Sequence, residues 1–352
     1  MSSADVVVIG GGQAGLAAGY HLRRAELSFL VLDAQPTPGG AWLHAWDSLR
    51  LFSPARFSSL PGWPMPAQPG HEYPDAAHVV DYPAACEKRY AIPMRRSTTV
   101  IAVSTVDGGF RVATDGGEMR TRAVISTTGT WWRRFVPIVP GNEFTGRQLH
   151  TVDYRTADEF AGQRVVVVGG GNSGAQIAAD LTTTAKVLWV TRRPPRFLPD
   201  DIDGRALFDI ATQRRRALDA GHRDTEGVAG LGDIVAVRPV RRARDAGRLR
   251  ALPMFTRLAR EGPVWADGTR RRADAIIWCT GFRPALKHLA PLRPRTHDGH
   301  PATCGTRSLD HPRLHLLGYG DWTGPASATL IGVGRAARDA VADLTTQLLP
   351  TR

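Results

Sequence analysis

Lysine is nearly missing from this chain: Lys88, Lys186 and Lys287 are the only three, and arginine carries the rest of a formal net charge of +12. Such a charge invites a nucleic-acid partner, but an arginine bias of this kind often reflects codon usage. The densest stretch, VRPVRRARDAGRLR (237–250), is interleaved with Pro, Ala and Gly and has no aromatic RNA-binding pattern, zinc finger or helix-turn-helix signature. It reads as a solvated face, partly available to an anionic cofactor, and no nucleic-acid partner is expected. Cysteine is scarce too. Cys86, Cys279 and Cys304 are far apart and form no CxxC, which excludes a zinc knuckle and a dithiol redox centre. No apolar run approaches the ~20 residues that a membrane span requires. The start, MSSADVVVIGGG, lacks a basic segment and cleavage site and leads straight into a strand, so an unprocessed cytoplasmic protein is expected. Paired carboxylates, a Ser-His-Asp set and clustered metal ligands are absent as well, so we expect no catalytic side chain and no metal.

What is present is glycine in two ordered runs. The first unit is DVVVIGGGQAGLAAGYHLRRAELSFLVLDAQ, with a strand at Val6–Ile9, then Gly10, Gly12 and Gly15, a helix, and a strand at Phe29–Leu32 that ends in Asp33. Glycines in this spacing permit a tight turn and close approach of the backbone to a pyrophosphate, which the helix N-terminus then binds. An acid at the end of the next strand suits a ribose diol.

The pattern recurs in RVVVVGGGNSGAQIAADLTTTAKVLWVTRRPPR, with a strand at Val165–Val168, the run Gly169, Gly171, Asn172, Ser173, Gly174, a helix, and a strand at Val187–Val190. Gly10 to Asp33 is 23 positions, and Gly169 to Arg192 is also 23. Where the first unit places a carboxylate, the second places Arg192 and Arg193, which would clamp a ribose 2′-phosphate that a carboxylate would repel. The first unit therefore fits FAD and the second NADPH. Two dinucleotide sites in one chain imply that one cofactor reduces the other.

Two further segments, AVISTTGTW and AIIWCTGFRP, end in Thr128-Gly129 and Thr280-Gly281 and read as matched crossovers between domains. Near the C-terminus, Gly320-Asp321 and a small-residue loop lead into an Ala-rich helix starting near Ser327 to Thr329, whose positive end would face an electron-rich ring. Asp321 could accept from a ribityl chain. The expected fold is α/β with two Rossmann-like dinucleotide-binding domains. Residues 1–140 and 285–352 form the FAD domain, and 141–284 form an NADPH domain inserted in it. Residues 200–250 look helical and then irregular, without an assignable chemical role.

PGGAWLHAWDSLRLFSPARFSSLPGWPMP (38–66), FTGRQLHTVDY (144–154), GGGNSGAQ and WCTGFRP together resemble the class B flavin-dependent monooxygenases. Over nearly the whole chain the likeness is greatest to the short flavin monooxygenases of arsenic-resistance gene clusters, with GDWTGPASATLIGVGR and RFLPDDIDGRALFD strengthening it. The fingerprint of the family is met at Phe144, Gly146, His150 and Tyr154, and its common final Pro is Arg155 here. The resemblance implies a gating role for His150 and Tyr154, since in the family this segment couples domain movement to nicotinamide placement. It puts Gly40 and Trp42 near the flavin. It also implies hydride delivery from NADPH, a C4a-(hydro)peroxyflavin, and oxygenation of a small soft nucleophile (N, S or As) or a ketone. One departure matters: LFSPARFSSLP (51–61) has no counterpart of the active-site Asn of the animal-type enzymes, so stabilisation by that Asn does not carry over. A reductase passing electrons to a protein or quinone without oxygen insertion is the alternative, and FTGRQLHTVDY is what such an enzyme does not need. The expected partners are a small substrate and molecular oxygen, with no membrane; a homodimer is compatible with the sequence.

Overall fold

The computed structural model describes residues 4–141, 143–200, 234–349 and a few positions between 206 and 220. The chain divides into two compact units. Unit 1 comprises residues 1–43, 54–132 and 284–352, and unit 2 comprises 44–53 and 133–283.

Unit 1 is built on a nine-stranded sheet. Its parallel core runs through β1 (Ala4–Ile9), β2 (Phe29–Leu32), β3 (Met94–Arg95), β6 (Gly117–Ser126) and β12 (Leu314–Leu316), in the spatial order β12-β6-β1-β2-β3. Val6, Val7 and Val8 of β1 are fully buried, as expected of a parallel strand covered on both faces. The antiparallel strands β4 (Val100–Val106) and β5 (Gly109–Thr114) continue the sheet from β6. Helix α1 (Gln13–Arg24) buries Leu16, Ala17, Ala18 and Leu22, and α5 (Leu330–Leu348) packs along it. Helix α2 (Ala76–Arg89) begins at Asp75, whose carboxylate accepts from the His78 N–H at 3.0 Å.

Unit 2 is a five-stranded, wholly parallel sheet. Its strands are β7 (Arg147–His150), β8 (Arg164–Val168), β9 (Lys186–Thr191), β10 (Ala251–Pro253) and β11 (Ala275–Trp278), ordered β10-β9-β8-β11-β7. Helix α3 (Asn172–Leu181) follows β8. The stretch read as irregular contains a helix, α4 (Arg238–Asp245), which packs on α3. Val240 and Ala243, three apart, form its buried stripe, and Pro239 in the first turn costs no helical hydrogen bond. Most of the remaining expectation for 200–237 lies outside the described residues. The units are thus two Rossmann-like sheets in one α/β chain. Among the described residues no helix is long and apolar enough to cross a membrane.

Unit 1 carries two deeply buried histidines. Burial pushes His288 down to about 4, and its Nε2 meets the Ser126 hydroxyl at 3.0 Å. Burial likewise brings His315 down to about 4, outweighing the opposite pull of Asp343 at 3.1 Å. The unfolded chain therefore binds protons on these rings before the folded chain does. The stability they contribute is present above about pH 6.5 and is lost as the pH falls toward 4, by up to about 3 kcal/mol for His288. Thermal unfolding between pH 8 and pH 5 should show a falling midpoint below pH 6.5, and His288→Gln should flatten that limb.

Candidate cofactor sites

The two glycine loops occupy equivalent places. β1 lies between β6 and β2, and β8 lies between β11 and β9. Ile9 is level with Ser126, and Val168 with Trp278. Gly10 has φ +108°, and a β-carbon on it would sit 2.6 Å from the Thr127 carbonyl oxygen. Gly169 has φ +144°, and a β-carbon there would run into the Cys279 carbonyl. Both features demand glycine. In the same way Gly15 lies against the carbonyl of Gly10, and Gly174 against that of Gly169, which is the close helix–strand approach expected of the third glycine. The loop carbonyls are not left unsatisfied: Gly10 O accepts from the Thr127 hydroxyl at 2.7 Å, and Gly169 O from the Trp189 indole N–H at 2.7 Å.

These loops fit a dinucleotide. Helices α1 and α3 start at Gly12 and Gly171 with no side-chain cap, whereas α2 and α5 are capped by Asp75 and Thr329. Around Gly12 the nearest atom a β-carbon would meet is the Gly40 Cα at 3.8 Å, and around Gly171 there is nothing within 4 Å. An open, uncapped helix N-terminus is where a pyrophosphate binds. Gly40 itself has φ +58°, and a β-carbon on it would sit 2.8 Å from the Gly12 Cα. Trp42 is beside the same loop, its indole N–H donating to Gln13 Oε1 at 3.1 Å.

At the strand ends the two units part in charge. Asp33 follows β2 and is 6 % exposed; Arg192 and Arg193 follow β9, are exposed, and make no ion pair among the described residues. Gly11 gives Asp33 its room, because a β-carbon at Gly11 would sit 2.7 Å from Asp33 Oδ2. Asn172 turns its side chain to the backbone, Oδ1 accepting from the Val235 N–H at 2.8 Å, and Ser173 lies in the first turn of α3.

The two Thr-Gly segments are also equivalent. Gly129 has φ +63° and Gly281 φ +80°. Thr128 donates its hydroxyl to Ala285 O at 2.7 Å, and Thr280 donates to Phe135 O. Thr128 also meets the buried Tyr319 hydroxyl at 2.8 Å, and that hydroxyl meets Ser126 at 2.6 Å. Asp321 is exposed and opens a short 3₁₀ turn, Asp321–Thr323. Thr329 is spent as the cap of α5, accepting from Gly332 N–H at 3.0 Å and donating to Ala326 O at 2.7 Å.

The fingerprint segment is a set of ties within unit 2. Phe144 folds its ring over Gly146, where a β-carbon would collide with it. His150 Nε2 lies 3.0 Å from Gly281 O and must carry the proton, because a carbonyl only accepts; Nδ1 faces the Val152 N–H at 3.5 Å. The ring is thus neutral with a defined tautomer, and burial holds its pKa below the usual value. Asp153 accepts from the His150 N–H at 3.0 Å and from Arg134 at 2.6 Å. Tyr154 is fully buried, stacks on Phe160, and donates to Asp180 Oδ2 at 2.7 Å. The same carboxylate oxygen accepts from Ser48 at 2.7 Å. Arg155, where the family has proline, donates to Ala45 O at 2.8 Å and accepts from Asp47 N–H at 3.0 Å.

Residues 7–205, more than half of the chain, match the family model for pyridine nucleotide-disulphide oxidoreductases. The structure superposes on that of a substituted variant of a flavin monooxygenase from Stenotrophomonas maltophilia with a TM-score of 0.90 and 51 % identity, covering 99 % of this chain and 100 % of the other. The chain belongs to the flavin-containing monooxygenases. It is also 30 % identical to an uncharacterized oxidoreductase, CzcO, from Bacillus subtilis, over 80 % of this chain and 82 % of that one. It is similar, at 30 % identity over 79 % of this chain and 76 % of the relative, to the indole-3-pyruvate monooxygenase YUCCA1 of Oryza sativa subsp. japonica. This monooxygenase is an FAD-dependent oxidoreductase, and its family implies FAD and a pyridine nucleotide as cofactors.

Because Asp180 keeps Ser48 when the phenol is removed, Tyr154→Phe should cost no more than about 1.5 kcal/mol. Tyr154→Ala also empties a core position and should cost about 3–5 kcal/mol. Urea unfolding of the two variants separates the hydrogen bond from the packing; equal losses would show that the hydroxyl, not the ring, matters.

Proposed function

We propose that unit 1 holds FAD resident, that unit 2 exchanges NADPH, and that the oxygen acceptor is a small soft nucleophile (amine nitrogen, sulfur or trivalent arsenic) or a ketone. The observation that carries this reading is the inversion of charge at one offset in two equivalent loops, with Asp33 in the first and Arg192-Arg193 in the second. Bound flavin, reduced by nicotinamide, supplies the oxygen chemistry. The residues supply position. The uncapped N-termini of α1 and α3 hold the two pyrophosphates, Asp33 holds the adenosine ribose of FAD, and the two arginines hold the 2′-phosphate. Gly40, Trp42, Thr128, Gly129 and Asp321 surround the flavin side, Thr329 sets where α5 begins there, and Asn172, Ser173, Thr280 and Gly281 surround the nicotinamide side. His150 acts as a fixed donor to Gly281 O rather than as an acid or base, since its Nε2 proton is already committed to a carbonyl. Tyr154 is equally unsuited to proton transfer, because burial and the neighbouring Asp180 push its pKa upward.

Arg192→Ala together with Arg193→Ala should raise the KM for NADPH far more than that for NADH, by about a hundredfold or more, as expected for losing two charged hydrogen bonds of about 1.5–3 kcal/mol each. Equal effects on both nucleotides would overturn the phosphate clamp. For oxygen insertion, the flavoprotein is reduced anaerobically with NADPH and mixed rapidly with oxygenated buffer. A transient near-ultraviolet flavin band is expected before reoxidation. Direct reoxidation with one peroxide per flavin, also in the presence of candidate substrates, would favour electron transfer without oxygen insertion.

A further inference from the structure

Asp33 is not alone. Arg96, which follows β3, reaches it with NH1, and the same nitrogen donates to Thr37 O at 3.1 Å. The other end of the guanidinium, NH2, pairs with Glu87 near the C-terminus of α2. The three side chains are 17 %, 8 % and 20 % exposed for Arg96, Asp33 and Glu87, so this is an interior cluster and not a surface pair. Its composition is two acids around one base. The backbone locks it in place: Asp33 N–H donates to Arg95 O at 2.9 Å, and Thr98 N–H donates to Asp33 O at 2.9 Å.

Two carboxylates and one guanidinium leave a net charge of −1 beneath the first glycine loop. Without Glu87, Arg96 would cancel Asp33 and the cluster would be neutral. A neutral cluster keeps the hydrogen-bonding oxygens for a ribose diol but no longer repels a phosphate on the 2′-oxygen. We propose that Glu87, acting through Arg96, is the residue that makes the first nucleotide site selective for an adenosine with a free 2′-hydroxyl. This rests on the reading that Asp33 faces the ribose of the resident nucleotide. Glu87 is a positioning residue in this scheme. It neutralises Arg96, and Arg96 in turn holds the Asp33 carboxylate beside Gly11. The charge of a buried ion cluster acts over several ångströms in a medium less screening than water, so discrimination of about tenfold against a doubly charged phosphate is within its reach.

The test uses the full chain, stripped of flavin, with FAD rebinding followed by flavin fluorescence, so that only the first site is read. Competitors are ADP and 2′-phosphoadenosine 5′-diphosphate, which differ only at the 2′-oxygen. The wild type should be competed by ADP at least about tenfold better than by the 2′-phosphorylated form. Glu87→Gln should bring the two competitors together, and Glu87→Asp should restore the gap. The double variant Glu87→Met with Arg96→Met removes one charge of each sign, so it should keep the gap while binding FAD more weakly. A gap in Glu87→Gln equal to that of the wild type, or a collapsed gap in the double variant, overturns the proposal. If Glu87→Gln does not refold with flavin, the double variant Glu87→Met with Arg96→Met is read against the wild type alone: it must keep the gap, and a collapsed gap overturns the proposal. Asp33→Ala separates the underlying reading: unchanged FAD affinity and unchanged ADP competition would show that Asp33 does not face the ribose at all.

Discussion

The structure depends on two missing β-carbons. At Gly10 and at Gly169 a strand must turn into a helix while the neighbouring strand passes close enough for its carbonyl to fill the space a side chain would take. That approach lets Thr127 and Cys279 seat the ends of β6 and β11 against the loops, and it brings the two Thr-Gly turns to matching places. An L-residue at either glycine would meet both the steric and the φ penalty, so the loop, the start of its helix and the adjoining crossover stand or fall together.

On this shared geometry the two units differ electrostatically. The acid of unit 1 is buried in an ion cluster with Arg96 and Glu87, whereas the arginines of unit 2 are exposed and make no ion pair among the described residues. An ion held inside a cluster has paid its desolvation during folding and suits an occupant that stays. Exposed guanidinium groups keep their water until a phosphate arrives, which suits a nucleotide that comes and goes.

Much of this was legible in the order of residues. The strand–glycine–helix units, the offset to Asp33 and Arg192 and the fingerprint positions are local patterns, and local patterns survive without a structure. Strand ends moved by a residue or two, as β9 shows in spanning Lys186–Thr191 where the sequence points to Val187–Val190. The partners were hidden. Arg96 is 63 positions from Asp33, Asp180 is 26 from Tyr154, and Ser48 is 132 from Asp180. No periodicity marks a residue whose role is set by what the sheet brings beside it. Gly11 escaped for a different reason: the familiar spacing names its neighbours, and the need for glycine there arises from the Asp33 carboxylate. Helix α4 escaped because its apolar stripe is only Val240 and Ala243 among arginines.

The second unit is discontinuous, with residues 44–53 far upstream of 133–283. Trp46 from the short piece is 7 % exposed in the same core cluster as Leu149, Tyr154 and Ile177, and Leu49 packs on that cluster. On a ribosome, therefore, Trp46 emerges long before the core that will bury it and must wait, apolar and unhoused, while the 79 residues 54–132 of the other unit and then β7 to β11 are made. The order of synthesis and the order of burial run against each other. The late strand β11, which pairs with both β7 and β8, completes the unit-2 sheet long after that tryptophan has left the ribosome.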